Sequence, residues 1–426
     1  MNRGDMEGGF LPKVHPDRAL VDAELHARQV MPLEGPLRVR RAAFMADGNR
    51  ERLRELQAAF ASRYGVGEGT DPRQLEFTAA GYRVTAEIHN EFATLTWIGA
   101  LDDWVPWPSG IGLDLFEDMP LIAATRLDLL TDAHLPDGAI SGFNPRSLCY
   151  STLYAGTIEV ATDFVVDKDG FTRFEVATGS SGGLRRGTVV RRLLEIDTYR
   201  ALVLLGLPLA RQQAPKVTSE EEQQSALMRQ LSLGSSVADN QQSLDSLHGL
   251  SLEVERTRDE VSYRFAATRA YADVLRSRIA RLGEVSIGEF TAIARYLENR
   301  VDPAVATCVA LETRLEALAR KLERSTELLN ARINLSIETQ NQAVLDTISR
   351  TSRNQYHLQR TVEGLSVIVI SYYALSLVGE VEQGLLPWLP LGRDAMIAIS
   401  VPVVIVLVWL ALRFLSRRGE PDQHGK

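Results

Sequence analysis

His15, Glu24 and His26 come nearest to a metal centre by residue type, with His89 and Glu91 as further donors. Imidazole nitrogens and carboxylate oxygens are common ligands of divalent cations. Their spacing matches no recognised zinc motif. A helix starting at Pro16 would place Arg18, Asp22 and His26 four residues apart, an ordinary ladder of surface ion pairs. The alternatives are a divalent-cation site on His15, Glu24 and His26 or a solvated helix face, and no other cofactor is expected. Asp163, Asp167 and Asp169 lack the full calcium-loop pattern, and a hairpin turn accounts for them better. Gly179 to Gly187, GSSGGLRRG, precedes a helix and could cradle an anion or simply connect strand to helix. There is no Gly-x-x-x-x-Gly-Lys run and no Gly-x-Ser-x-Gly elbow, so an enzyme is not expected.

A second set of polar residues lies inside an apolar stretch. Ser366, Tyr373 and Glu380 are seven apart with Ser376 between them, so they share one helical face. That face could line a pore with Glu380 as a carboxylate ring. Alternatively, the small and hydroxyl residues could let two membrane helices pack.

The elements that must carry this set are two uncharged runs, Gly364 to Gly379 and Ala395 to Leu412. At 1.5 Å per residue they cover roughly 24 and roughly 27 Å, the second enough to span a bilayer and the first nearly so. A short loop with Pro387, Trp388 and Pro390 joins them, which predicts a transmembrane hairpin over 361–412. Arg350, Arg353 and Arg360 precede the first run, and Arg413, Arg417 and Arg418 end or follow the second. The loop side carries Arg393 against Glu380, Glu382 and Asp394. Cations stay on the cytoplasmic side, so both termini are expected there, in the cell inner membrane.

The N-terminal stretch MNRGDMEGGFLPKVHP lacks the apolar core of a signal peptide. Two cysteines, Cys149 and Cys308, exclude a disulfide framework. A net charge of -8 speaks against nucleic acid as a partner; the expected partners are the lipid bilayer and further copies of the chain as a homo-oligomer.

Residues 1–211 read as a cytosolic α+β domain with a mostly antiparallel sheet. A helix is predicted over Asn49 to Tyr64, with strands over Leu75 to Ile88, Phe92 to Ile98, Tyr150 to Tyr154, Thr157 to Val166 and Phe171 to Val176. The Asp167–Gly170 turn joins the last two, and a helix from Leu184 to Arg211 closes the domain. Residues 212–244 read as a polar linker and 245–360 as a helical, coiled-coil-like stalk. Within the stalk, Ser286-Ile-Gly-Glu289 forms an expected capping box and Asp302-Pro303 an expected helix start. Leu311, Leu315, Leu318, Leu322 and Leu329 supply the coiled-coil spacing, and 413–426 is a cytosolic tail.

Several of these stretches together resemble a known family. They are His15-Pro16-Asp17-Arg18, Glu24-Leu25-His26-Ala27-Arg28, His89-Asn90-Glu91-Phe92, Thr162-Asp163-Phe164 and Gly170-Phe171-Thr172-Arg173-Phe174. The run Arg192 to Arg200, RLLEIDTYR, then Gln340-Asn341-Gln342 and Thr361 to Ser366, complete the set. Over about residues 15 to 410 the chain resembles the bacterial domain-of-unknown-function 3422 family of membrane-anchored proteins. Gln29 stands where that family usually continues with proline, and Asp197 where glutamate is usual. The resemblance implies architecture but no activity. In topology the chain is also similar to CorA-type magnesium channels, pentamers whose first span ends in Gly-Met-Asn. Here the equivalent place reads Val378-Gly379-Glu380-Val381. The expected function is an oligomeric CorA-like cation channel or transporter. The alternative is a non-conducting membrane-tethered scaffold or sensor that binds a cytosolic partner through its α+β domain.

Overall fold

The computed structural model describes residues 13–18, 21–22, 30–65, 73–232, 237–385 and 393–418. The chain divides into two compact units, Met1–Gly234 with Ser243–Thr326, and Ser235–Gln242 with Glu327–Lys426.

The first unit is built on a nine-stranded mixed sheet. Its strands are β1 (Leu37–Met45), β2 (Gln74–Ala79), β3 (Tyr82–Ile88), β4 (Phe92–Ala100), β5 (Leu121–Leu130), β6 (Cys149–Leu153), β7 (Ile158–Val166), β8 (Thr172–Ala177) and β9 (Val285–Ser286). The spatial order is β2-β3-β4-β1-β5-β8-β7-β6-β9. Among the described residues only β5 and β8 pair in parallel; the other ladders are antiparallel, as the composition of the strands predicts. The stretch expected as one strand over 75–88 is a hairpin. Ala80 and Gly81 both take positive φ, the requirement of a two-residue turn.

Helix α1 (Arg50–Tyr64) forms where the sequence predicts it, capped by the Asn49 side chain on the Arg52 N–H. Its Leu53, Leu56 and Phe60 pack on one sheet face with Phe44, Trp97 and Phe116. The opposite face carries Val39, Leu127, Phe174 and Val176 under helix α2 (Gly183–Leu204). Each such side chain, fully buried, contributes about 1.5–3 kcal/mol.

Downstream, four expectations need correction. The polar linker is helical: α3 (Gly206–Ser232) and α4 (Val237–Ala280) occupy most of it. The polar residues there have partners in the bundle: Glu221 pairs with Arg314 at 2.7 Å, and Glu220 accepts from Thr257 at 2.9 Å. Ser286 caps nothing, because Val285–Ser286 adds strand β9 to the sheet edge. The long helix α5 (Ile293–Leu385) starts instead under the Glu284 carboxylate, which accepts from the N–H groups of Ile293 and Ala294 at 2.6 and 2.8 Å. Pro303 is then interior to α5, and Asp302 pairs with Arg276 of α4 at 2.8 Å rather than capping. The leucine stripe from Leu311 to Leu322 is buried inside the first unit, so this part of the expected stalk packs within its own chain.

In the second unit α5 continues through Gly364, and α6 (Arg393–Arg418) follows. Among the described residues one helix, Ile293–Val381, has an apolar window long enough to cross a membrane; Ile397–Ala411 is a shorter apolar helix.

Candidate ligand-binding cleft

On the sheet face under α2, strand β1 presents Val39 and Arg41, and β4 presents Thr94, Thr96 and Ile98 beside them. Strand β3 adds Thr85 and Glu87 in register, and β2 adds Gln74 and Glu76. This end of the face is polar, so α2 cannot seal it with aliphatic side chains. Two hollows remain. One, about 230 Å³, is lined by Arg41, Glu87, His89, Arg191, Glu195 and Arg278 among others. The other, about 70 Å³, shares Arg41, Glu87 and Arg191 and adds Gln74, Val190 and Leu194.

Charges alternate along the wall. Arg41 donates from Nη2 to Glu87 at 2.8 Å and from Nε to Thr96 Oγ1 at 2.8 Å. Arg191 lies 3.7 Å from the other Glu87 oxygen and donates from Nε to Glu195 at 3.0 Å. Arg278 of α4 donates from Nε to the second Glu195 oxygen at 2.5 Å. Arg41 and Glu87 are buried; Arg191 and Arg278 are about a quarter exposed. Buried charges persist only when paired in this way. Arg41, Arg191 and Arg278 face Glu87, Glu195 and, in the smaller hollow, Glu76, so the charges of the two hollows balance.

The cleft floor continues into an aromatic set. Phe92 meets Tyr199 and Tyr271 edge-on, and His89 stacks on Phe92 at 4.1 Å between ring centroids. Behind it Glu91 is buried and bound by both terminal nitrogens of Arg264 at 3.1 and 3.0 Å. Burial, then the hydrogen bond to Glu91, pushes the Tyr271 hydroxyl well above its usual range. The arrangement can bind and orient a small polar molecule.

The candidates read from sequence are placed as follows. His15 is exposed at the surface, where its Nδ1 accepts from the Asp17 N–H at 3.1 Å; Glu24 and His26 lie outside the described residues. His89 and Glu91 diverge, one lining the cleft and the other held by Arg264. Among the described residues no group of three His, Cys, Asp or Glu is placed to hold a metal. Asp167 organises the β7–β8 turn, accepting from the N–H groups of Asp169 and Phe171 at 3.0 and 2.9 Å. Asp163 accepts from Asn144 and Val165 at a bulge where Phe164 has φ of 55°. The glycine run has a steric reason at Gly187, where a Cβ would lie 2.0 Å from the Met31 carbonyl oxygen; at Gly183 the atom 2.2 Å away is the end of the exposed Glu34 side chain, which can move aside. Tyr373, Ser376 and Glu380 are exposed on α5, with Ser366 half-buried.

Sequence reasoning missed Arg41, Glu87, Arg191 and Arg278 as a set. The available signal was indirect: His89-Asn90-Glu91-Phe92 and the run from Arg192 to Arg200 both supply cleft residues, His89 and Phe92 from one, Glu195 and Tyr199 from the other. No curated protein matches the chain. A family profile described as "Protein of unknown function (DUF3422)" matches residues 13–418, nearly the whole length. The chain therefore belongs to the DUF3422 family.

Proposed function

We propose that this is a membrane-tethered ligand-sensing protein, held in the inner membrane by a two-helix hairpin over 361–412, with both termini cytoplasmic and a small molecule bound in the cleft of the α/β unit. The tether rests on one observation. The apolar window of α5 is only 6% buried, whereas the core helix of a soluble fold would be mostly covered. Leu365, Ile368, Tyr372 and Leu377 are exposed there, as are Ile399, Leu407 and Leu410 in α6. A bilayer is the solvent that such surfaces require.

The shielded positions in this unit support a helix pair. In the apolar run of α5 they are Ser366, Val367, Ser371, Ala374, Leu375, Val378 and Gly379; in α6 they are Ser400, Val401, Val404 and Val408. Both stripes have helical spacing, and Ser366, Ser371, Ala374, Gly379 and Ser400 supply small side chains of the kind that let membrane helices pack. Extraction of membrane vesicles with alkaline carbonate tests the tether: the chain stays in the pellet, and its release would remove the proposal.

The channel reading is favoured by a different observation. At 100° per residue, Tyr373, Ser376 and Glu380 lie on the side of α5 away from its shielded stripe, with the half-buried Ser366 at the edge of that side. A homo-oligomer could gather that side around an axis. Flux of monovalent or divalent cations into liposomes holding pure protein, altered by Glu380→Gln, would support conduction. No flux in the unsubstituted protein removes it.

A further inference from the structure

The cleft has a chemical preference that its lining defines. At the mouth Arg278 presents a cationic group: it is 29% exposed and has Glu195 as its one hydrogen-bond partner among the described residues. A guanidinium has five N–H donors, and this pair uses Nε, which leaves the donors of the two terminal nitrogens for a second acceptor. A planar carboxylate suits that fork. The inner hollow asks for the opposite group. Gln74 is 8% exposed; its amide donates to Glu76 at 2.7 Å, while its carbonyl oxygen is buried with no hydrogen-bond partner. A buried acceptor left unsatisfied costs about 1–3 kcal/mol, which a donor on an occupant would relieve. Size sets the last limit. A cavity of about 150 Å³ holds benzene, so 230 Å³ holds a molecule of roughly nine heavy atoms.

We propose that the cleft binds a small organic monocarboxylate bearing a hydrogen-bond donor, with its carboxylate on Arg278 and its donor toward Gln74. The two hollows share Arg41, Glu87 and Arg191, so one molecule can reach both. This proposal rests on the reading of the α/β unit as a ligand-binding module and gives that module its ligand class. Apolar lining from Val190 and Leu194 leaves room for a short aliphatic body between the two polar ends.

The test is calorimetric titration of the full chain in detergent micelles with four probes: sodium 4-hydroxybutyrate, sodium butyrate, 4-hydroxybutyramide and butylammonium chloride. Hydroxybutyrate binds saturably and more tightly than butyrate; butylammonium does not bind. Arg278→Gln weakens both carboxylates about 10- to 100-fold, the loss of a charge-assisted hydrogen bond. Gln74→Leu weakens hydroxybutyrate about 2- to 12-fold and leaves butyrate unchanged. Far-UV circular dichroism confirms that each variant is folded. Should Arg278→Gln fail to fold, Glu195→Gln replaces it and tightens carboxylate binding, because it frees Arg278. Equal affinity in these variants and in the unsubstituted protein overturns the proposal. Binding of butylammonium or hydroxybutyramide without either carboxylate overturns the ligand class while leaving the module reading intact. No binding by any of the four overturns both.

Discussion

Glu175 offers the most searching test of the electrostatics of the sheet. It lies on the face opposite the cleft, in register with Asp128 of β5, and its carboxyl is 12% exposed. Burial first, and the neighbouring Asp128 charge second, push its pKa from 4.5 up to about 8. Arg173, Arg126 and Arg38 pull the other way without overcoming them. The folded state therefore keeps a proton that the unfolded chain releases near pH 4.5. Between that value and pH 8 the folded state binds more protons, so stability falls as pH rises, by about 1.4 kcal/mol per unit. Below 4.5 and above 8 the two states bind equally and the slope from this group vanishes. Glu175→Gln keeps the shape and removes the titration. The expected result is a variant that gains on the unsubstituted protein by a few kcal/mol across that window and is the more stable form at pH 9. Denaturant unfolding of both proteins in detergent at pH 5, 6, 7, 8 and 9, followed by tryptophan fluorescence, measures the difference. Parallel stability curves for the two proteins would refute the reasoning.

Other predictions follow from packing and pairing. Arg38 and Asp128 form a bidentate pair at 2.6 and 2.8 Å with both side chains more than nine-tenths buried. Asp128→Leu should cost about 3–5 kcal/mol, and adding Arg38→Met should recover most of it, as a double-mutant unfolding cycle would report. Burial raises the thiols of Cys149, to about 12, and of Cys308. Both should resist an aromatic disulfide reagent at pH 8 until denaturant is added, and rapid reaction of native protein would contradict their placement. Gly187→Ala should destabilise the first unit by about 1–3 kcal/mol in thermal unfolding, because its Cβ would strike the Met31 carbonyl.

What the sequence made legible follows local signals. Asn49 before an amphipathic run marks α1, and the turn at Asp167–Gly170 joins β7 to β8. The two apolar runs near 364–379 and 395–412 fall on α5 and α6. Strands β1 and β5 were invisible. The run Leu37–Met45 carries Arg38, Arg40 and Arg41, which place charge on both faces and erase the alternation a strand normally shows. Their partners, Asp128, Asp103 and Glu87, are 46 to 90 residues away, so the pairing that permits their burial has no local trace. The cleft was hidden for the same reason: it needs Arg41, Glu87, Arg191 and Arg278 from four elements. In sequence the bundle of α3, α4 and α5 resembles linker and stalk, because its glutamates look solvated until Arg314 and Thr257 meet them. Asp302-Pro303 misled because a cap sequence is a local preference, and Glu284 captured the helix start ten residues earlier.

The proposed tether requires residues 361–412 to cross a bilayer with the connecting loop on the far side. Membrane-impermeant maleimide applied to intact cells tests this with Glu380→Cys and, separately, Ser336→Cys, since Cys149 and Cys308 are buried. A spanning hairpin predicts labelling at position 380 in intact cells, and at position 336 only after the membrane is permeabilised. Labelling of both positions only after permeabilisation, or of both in intact cells, would contradict the hairpin.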